Sequence, residues 1–409
     1  MDAEIIAVGS ELLTPQRIDT NSLWLTDQLN ALGVEVVTKS VVGDDRQRLA
    51  DSVSLATGRS GVVVLTGGLG PTEDDVTRDA VASALGRKLV FHSEIVDVIE
   101  KRFRRMNRHM AEINRRQAYV IEGAEILPNA HGTAPGQWLE HDGAVVMLLP
   151  GPPGELKPMF LDECLPRLEK RVPHSVICTR FLRVAGMPES DLDQLISPVY
   201  KKYTNPVCTI LAAPGDIQVH LRARCSTPGE AEALLAQVGD PIEELLGDRV
   251  YSRGGESLET IVGGMLRARG ASLSVAESCT GGMVAERITS VPGSSDYFVG
   301  GFLVYTYAMK TALLGVDPEL LAERGAVNDA VAEAMARGAR ERTQSSYALA
   351  VTCVAGPGSG GEREPAGTVW IALDGPGGAF SRRFQFLGER ERVRSLATQT
   401  ALDLLRRKL

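Results

Sequence analysis

The sequence predicts a multidomain α/β protein. Short apolar runs of the kind found in buried strands alternate with stretches of helical apolar spacing through most of the chain. Glycine-rich turns follow the ends of several of those runs. The length of 409 residues is long for a single core and points to two or three domains.

Residues 1–168 are expected to form the first domain. Ile5-Ile6-Ala7-Val8 is a short strand that ends at Gly9-Ser10-Glu11. Residues 21–32 place Leu25, Leu29 and Leu32 at helical spacing, and Gly33 stops that helix. Residues 34–37 start a second strand and residues 61–65 a third, followed at once by TGGLGPT (66–72). Residues 79–86 read as helix, and residues 145–149 as a late buried strand before Gly151. Ligands of layered α/β sheets lie beyond the C-terminal strand ends. Gly9, Gly67, Gly68, Gly70 and Gly151 are therefore candidate binding positions.

Glu11, Asp44, Asp74, Asp75 and Glu155 stand beside those turns. Backbone N–H groups cradle phosphate, and carboxylates hold Mg²⁺ or a similar ion against it, so this pattern suits a phosphorylated ligand. Asp74 or Asp75 would serve equally as the cap of a helix starting near Val76. The basic run at residues 101–109 reads as a solvated helix face, with a phosphate- or nucleic-acid-binding edge as the alternative.

Residues 169–250 read as a small α/β unit. Strands are expected at 175–184, 207–211 and 217–223, with a short Ser190-capped helix over 191–196 and a helix over 230–246 broken near Gly239-Asp240-Pro241. No catalytic set converges here, which leaves a spacer or dimerisation role.

Residues 251–409 carry the densest chemistry. An amphipathic helix over 257–267 precedes an apolar strand over 271–276, which runs into Glu277-Ser278-Cys279-Thr280-Gly281-Gly282 and a helix from Met283. A strand that delivers three candidate nucleophiles to a Gly-Gly turn suits acyl transfer, and the same layout can bind a phosphate passively. Tyr305, Tyr307 and Lys310 make a second polar cluster, and AGPGSGG (355–361) a third. Residues 299–305 are apolar and 307–314 helical. A helix over 327–343, strands over 347–354 and 368–373, and a closing helix over 390–407 complete the domain.

Ser278 is the candidate nucleophile. Lys310 can take its proton only as the neutral amine, and Tyr305 can relay the proton or orient the serine. The N–H groups around Gly281 and Gly282 are candidate oxyanion donors, and Gly356 and Gly358 would bend around phosphate or ribose. Cys279 is an alternative nucleophile or a small packed side chain, Thr280 a nucleophile, a substrate contact or a helix cap, and a lone lysine such as Lys310 is ordinarily a solvent-facing one.

The net charge of −8 argues against a general nucleic-acid binder. Six cysteines include no Cys-x-x-Cys pair, so neither a zinc knuckle nor a disulfide framework is indicated, and six scattered histidines include no zincin-type pair. The opening residues lack a charged-then-apolar leader, and the apolar runs are too short to span a membrane. A reducing cytoplasm is the expected setting.

TGGLGPTEDDVT (66–77), with GSELL (9–13), VGDD (42–45) and LPGPPGE (149–155), resembles the molybdopterin-binding fold and, more closely, the competence/damage-inducible protein A (CinA) family. The resemblance implies a molybdopterin-binding-like first domain with metal-dependent ADP-ribose pyrophosphatase activity, Asp44 and Asp75 facing phosphate and metal. AESCTGG, VPGSS (291–295), LLGV (313–316) and AGPGSGG with PAGTVWIAL are similar to the C-terminal CinA domain and to nicotinamide mononucleotide (NMN) deamidase. That likeness implies hydrolysis of NMN to nicotinic acid mononucleotide and ammonia by the residues matching Ser278, Tyr305 and Lys310, without a cofactor. A homodimer is expected.

The chain departs from the family at Thr14-Pro15-Gln16, at Thr306-Tyr307-Ala308 and at Cys353, where the family usually has glycine. A side chain at 353 is expected to crowd the glycine loop. A molybdopterin-binding protein and a non-catalytic interaction protein linked to competence or DNA damage are the competing readings.

Overall fold

The computed structural model of the chain describes residues 1–172, 175–358 and 363–409. Two compact units form, Met1–Cys178 with Arg224–Glu232, and Thr179–Ala223 with Ala233–Leu409.

In the first unit the strands are β1 (Asp2–Val8), β2 (Glu35–Val42), β3 (Val62–Thr66), β4 (Leu89–Phe91), β5 (Tyr119–Ile121), β6 (Glu125–Leu127), β7 (Gly136–His141) and β8 (Ala144–Leu149). Six of them make one sheet in the order β2-β1-β3-β8-β7-β6. β2, β1, β3 and β8 run parallel, so their C-terminal ends share one edge. A parallel sheet is covered on both faces, which explains the near-continuous apolar strands. Ala3 and Ile5 of β1 pack with Leu25 and Leu29 of the helix Thr20–Ala31 on one face. Ile6 and Val8 pack with Val53 and Val81 on the other. Asp19 Oδ1 starts the helix Thr20–Ala31 by accepting from Ser22 N at 3.0 Å.

Strands β9 (Val176–Ala185), β10 (Val207–Ala213), β11 (Asp216–Cys225) and β12 (Val250–Ser252) make a four-stranded sheet in the order β10-β11-β9-β12. Two local expectations fail here. The helix Glu189–Tyr200 starts ahead of Ser190, which therefore lies within its first turn and caps nothing; its hydroxyl donates to Asp191 instead. The helix Pro228–Leu246 runs unbroken through Gly239 and Pro241. Arg180 holds this stretch by donating to Asp240 Oδ1 at 2.6 Å and Glu243 Oε2 at 2.8 Å, a tertiary clamp that overrides the local breakers.

The last sheet has the order β14-β13-β15-β16-β17. Its strands are β13 (Leu273–Glu277), β14 (Phe298–Leu303), β15 (Tyr347–Cys353), β16 (Thr368–Asp374) and β17 (Phe380–Gln385). β13 lies between β14 and β15 and is parallel to both. One face packs Leu273 and Val275 against the helices Leu258–Ala268, Met283–Thr289 and Arg390–Arg406. The other packs Ala276, Ala348 and Ala350 against Leu314 and the helix Asp329–Thr343. The connections that leave β13 and β14 thus cover opposite faces, which opens a crevice at the strand ends. Among the described residues no helix is long and apolar enough to cross a membrane.

Gly338, inside the helix Asp329–Thr343, lets that helix approach the end of the helix Tyr307–Leu314, which carries Lys310. A Cβ at 338 would lie 2.0 Å from the Leu314 carbonyl oxygen. Gly338→Ala should therefore destabilise by about 1–3 kcal/mol through overpacking, although alanine ordinarily gains up to about 1 kcal/mol over glycine in a helix. Thermal unfolding checks this, and a raised Tm would contradict the close contact.

Candidate functional site

Two glycine-lined sites lie beyond strand ends, one in each unit. In the first unit Gly9, Glu11, Asp44, Gly67, Gly68, Gly70, Asp74, Asp75 and Gly151 all line one cavity of about 640 Å³. Its floor is the shared C-terminal edge of β1, β2, β3 and β8. Gly67 has φ 97°, and a Cβ there would stand 2.4 Å from the Val8 carbonyl oxygen, so only glycine lets the turn close over β1. Asn21 donates from Nδ2 to the Gly151 carbonyl at 2.7 Å, tying the helix Thr20–Ala31 to the Gly151 turn, and Arg17 adds a cation to the lining.

Arg78 orients the glycine turn. It is 3% exposed and donates to the Leu69 carbonyl at 2.6 Å and to the Gly70 carbonyl at 2.8 Å. Burial pulls its guanidinium down to about 10, with the Asp75 and Asp79 carboxylates opposing that fall, so it stays charged at neutral pH.

Asp75 requires a correction. Its Oδ1 accepts from Gly70 N at 2.7 Å, and its Oδ2 accepts from Thr72 N at 2.8 Å and Thr72 Oγ1 at 2.5 Å. Three of the lone-pair sites of this carboxylate are taken by the loop itself, so Asp75 braces the loop at the cavity wall. Neither aspartate caps the following helix: Thr77–Ala84 has Val76 at its N-cap and no side-chain cap. Asp44 Oδ2 accepts from Ser10 N at 2.9 Å, and Ser10 Oγ accepts from Asp44 N at 3.0 Å. Among the described residues no group of three His, Cys, Asp or Glu side chains could hold a metal ion.

In the second unit Ser278 follows β13 directly. Its N–H donates to the Val351 carbonyl at 3.1 Å and extends the strand pairing by one residue. Lys310 lies in the helix Tyr307–Leu314, whose N-cap Thr306 accepts from Met309 N at 3.3 Å. Lys310 is 1% exposed, so it is no solvent-facing lysine. Its Nζ lies 3.1 Å from Ser278 Oγ, 2.9 Å from the Val304 carbonyl oxygen and 3.4 Å from that of Tyr305. The structure thus brings the serine and the lysine together across 32 residues of sequence.

Four expectations for this site are corrected. Gly282 N donates to Glu277 Oε2 at 3.0 Å, and Gly281 N donates to the Ser278 carbonyl at 3.2 Å, so neither is an open oxyanion donor. Glu277 also accepts from Val284 N and Ala285 N, so this carboxylate, and not Thr280, caps the helix Met283–Thr289. Thr280 is fully buried with its hydroxyl unpartnered, which removes it as a nucleophile or a side-chain substrate contact. The Tyr305 phenol is 59% exposed and accepts from Arg390 at 2.9 Å instead of meeting Ser278.

The cysteine spacing indicates no disulfide, yet the strand register brings one together. Cys279 and Cys353 form a disulfide, with Cα atoms 5.7 Å apart. The parallel register that pairs Glu277 with Val351, carried on two residues, sets these two side by side. A bonded Cys279 is no nucleophile. The side chain at 353 turns to its partner and so does not stand alone against the glycine loop. Of that loop, Gly356 accepts from Arg390 at 3.1 Å through its carbonyl, while a Cβ at Gly358 would meet open space among the described residues; Ser359, Gly360 and Gly361 lie outside the described residues.

Arg390 and Arg394 escaped the sequence reading. They stand four residues apart on the helix Arg390–Arg406 and therefore share a face. Arg394 donates to the Cys279 carbonyl at 2.9 Å and the Thr280 carbonyl at 2.8 Å. In a trans peptide the N–H points opposite to the C=O. Holding the Cys279 carbonyl therefore turns the Thr280 N–H the other way. Neither the Cys279 nor the Thr280 N–H has an acceptor among the described residues. An Arg-x-x-x-Arg spacing was visible at the start of the last helix, yet nothing local separates it from an ordinary charged helix face.

Residues 255–409 match the CinA C-terminal domain, residues 4–170 the "Probable molybdopterin binding domain", and residues 179–252 the damage-inducible protein CinA KH domain. A CinA-like protein of Solibacter usitatus is 64% identical over 409 residues, covering 100% of this chain and 98% of its own. The chain belongs to the CinA family. A CinA-like protein of Acidobacterium capsulatum is 48% identical over 415 residues, covering 100% of both chains. A solved competence-damaged protein (CinA) superfamily protein of Escherichia coli is 35% identical over 36% of this chain and 87% of its own, with a TM-score of 0.36. These names speak of competence, damage and molybdopterin binding; none states a hydrolytic reaction.

The brace role of Asp75 is testable without any ligand. Asp75→Ala removes the acceptor of three loop hydrogen bonds and should lower stability by about 1–3 kcal/mol in urea unfolding with chelator present. Metal-free stability equal to or above that of the parent would return Asp75 to the role of a ligand.

Proposed function

We propose that the CinA C-terminal part is a serine-dependent amidohydrolase acting on the carboxamide of NMN. The observation that carries this reading is the buried contact between Ser278 Oγ and Lys310 Nζ. As an ammonium, Lys310 donates to Ser278 and to the two carbonyls. As a neutral amine, it keeps two donors for the carbonyls of Val304 and Tyr305 and offers its lone pair to the serine O–H.

In the proposed reaction Ser278 Oγ attacks the carboxamide carbon while its proton passes to Lys310. The developing oxyanion is met by the Cys279 N–H, which belongs to the residue after the nucleophile. Collapse breaks the C–N bond, Lys310 returns the proton to the departing ammonia, and water hydrolyses the nicotinoyl ester. Glu277 and Arg394 hold the turn, while Arg390 sets Tyr305 and Gly356 at the rim, where the phosphate and ribose of the substrate would lie.

For the first unit we favour binding over metal-assisted hydrolysis. The N–H groups of Gly9, Gly67 and Gly70 are held by Val42, Leu149 and Asp75, and those of Gly68 and Gly151, which have no acceptor among the described residues, are the ones left to meet a phosphorylated nucleotide or pterin. Incubation with ADP-ribose and Mg²⁺, followed by chromatography of the products, tests it; turnover lost in Asp75→Asn but not in a second, equally destabilised loop variant would establish hydrolysis there.

Ser278→Ala should lower NMN turnover by about 10³ or more while NMN binding survives. Tyr305→Phe, whose hydroxyl engages Arg390 and not Ser278, should stay within about tenfold of the parent. Product chromatography measures both. Near-parental turnover of Ser278→Ala would defeat the serine mechanism, and a thousandfold loss in Tyr305→Phe would restore the phenol to the proton path.

A further inference from the structure

We propose that Cys279 and Cys353 form a reversible oxidation site that latches the Ser278 turn to the root of the glycine loop and so makes the reactivity of Ser278 depend on thiol redox state. The inference rests on the reading of Ser278 as the reactive group. Cys279 immediately follows Ser278, and its peptide carries one of the open N–H donors. Cys353 ends β15, three residues before Gly356, whose carbonyl is held by Arg390. The bond therefore joins the nucleophile turn to the segment that forms the other wall of the site, across a sequence separation of 74 residues.

Non-covalent ties also hold the turn. Arg394 grips two of its carbonyls, and Glu277 grips the helix that follows. These ties act on the turn from the side of the helices and none of them reaches β15 beyond Ser278 N. Breaking the disulfide leaves turn and loop root joined by the Ser278 hydrogen bond to Val351 and by the helix Arg390–Arg406, whose Arg390 holds the Gly356 carbonyl and whose Arg394 holds the turn. The two sulfurs sit in side chains that are 5% and 9% exposed, so two separate thiols would have to be housed in a closed space. The Cys279 N–H lies on the peptide that Arg394 does not hold, so it is the donor that loss of the bond frees most.

Two of the other four thiols do not compete in this chemistry. Burial pushes Cys164 up to about 12 and Cys208 up to about 11, which keeps both as thiols at neutral pH. Disulfides of reducing compartments are characteristically transient and redox-sensing, which fits a bonded pair in a chain without any other disulfide among its described residues.

The chemistry balances as thiol–disulfide exchange. A dithiol attacks one sulfur as its thiolate, the S–S bond breaks, and the departing cysteine takes a proton. The second dithiol sulfur then displaces the other cysteine, giving two protein thiols and one cyclic disulfide. In reverse, two thiols and one molecule of oxidised glutathione give the bond and two molecules of glutathione.

The full chain is treated with dithiothreitol or with oxidised glutathione, and the thiols are alkylated and mapped by mass spectrometry. Ser278 reactivity is read in both states by the rate of labelling with a fluorophosphonate, and NMN turnover is read beside it. The oxidised state should protect Cys279 and Cys353 from alkylation, raise Tm by about 5 °C, and label Ser278 at least threefold faster than the reduced state, reversibly. Cys353→Ala should be fixed at the reduced rate and ignore both reagents. Full alkylation of both cysteines after oxidised glutathione, or equal Ser278 labelling in the two states, would overturn the latch. Redox-dependent labelling without NMN turnover in either state would sustain the latch and reject NMN as the substrate.

Discussion

Both candidate sites depend on one interaction, an arginine guanidinium that binds two consecutive main-chain carbonyls of a glycine-containing turn. Arg78 does this for Leu69 and Gly70, and Arg394 does it for Cys279 and Thr280. Such turns have many accessible conformations, and their carbonyls would otherwise compete with their N–H groups for the space in front of a strand end. A planar fork of donors matches two neighbouring carbonyls at once, which a lysine could not do with one point charge. Because each peptide is planar and trans, fixing the Cys279 carbonyl turns the Thr280 N–H away from Arg394. In the first unit the same grip fixes the path of the turn, since the Gly70 N–H is held by Asp75 and Pro71 has no N–H.

Carboxylates complete the same arrangement. Asp75 gathers three donors within its loop, and Glu277 gathers three N–H groups at a helix start. Each buried or braced acid satisfies groups that would otherwise be orphaned, and a helix N-terminus adds favourable charge for Glu277. Acidic residues beside glycine turns are therefore ambiguous from their type alone. The same Asp-rich pattern that reads as a metal site can be an internal scaffold, and the partners of each oxygen distinguish the two.

The Ser278–Lys310 contact shows how the sheet turns remote segments into a site. β13 and β14 are parallel neighbours, so their C-terminal ends deliver Ser278 and the start of the helix Tyr307–Leu314 to the same place. The close approach at Gly338 and the alanine-lined face of the sheet hold that helix tightly enough to bury a lysine. The neighbouring pairing of β13 with β15 brings Cys279 to Cys353 by the same register logic.

The sequence by itself determined the α/β class, the strand–turn–helix layout of both glycine turns, and the positions from which Ser278, Lys310, Asp44 and the first-unit glycines enter their sites. These follow from local periodicity and from residues that only tight turns accept, so neighbours in the chain carry the signal. Tertiary structure alone decided what each polar group does. Arg394 reaches its carbonyls from 115 residues away, Cys353 reaches Cys279 from 74, and the fork of Arg180 keeps a helix continuous through Pro241. Tyr305 and Asp75 had the right chemistry for the roles expected of them but found other partners, Arg390 and the loop N–H groups. A hydrogen bond depends on positions and directions in space, and for groups far apart in the chain those are set only once the sheet registers and helix packing are in place.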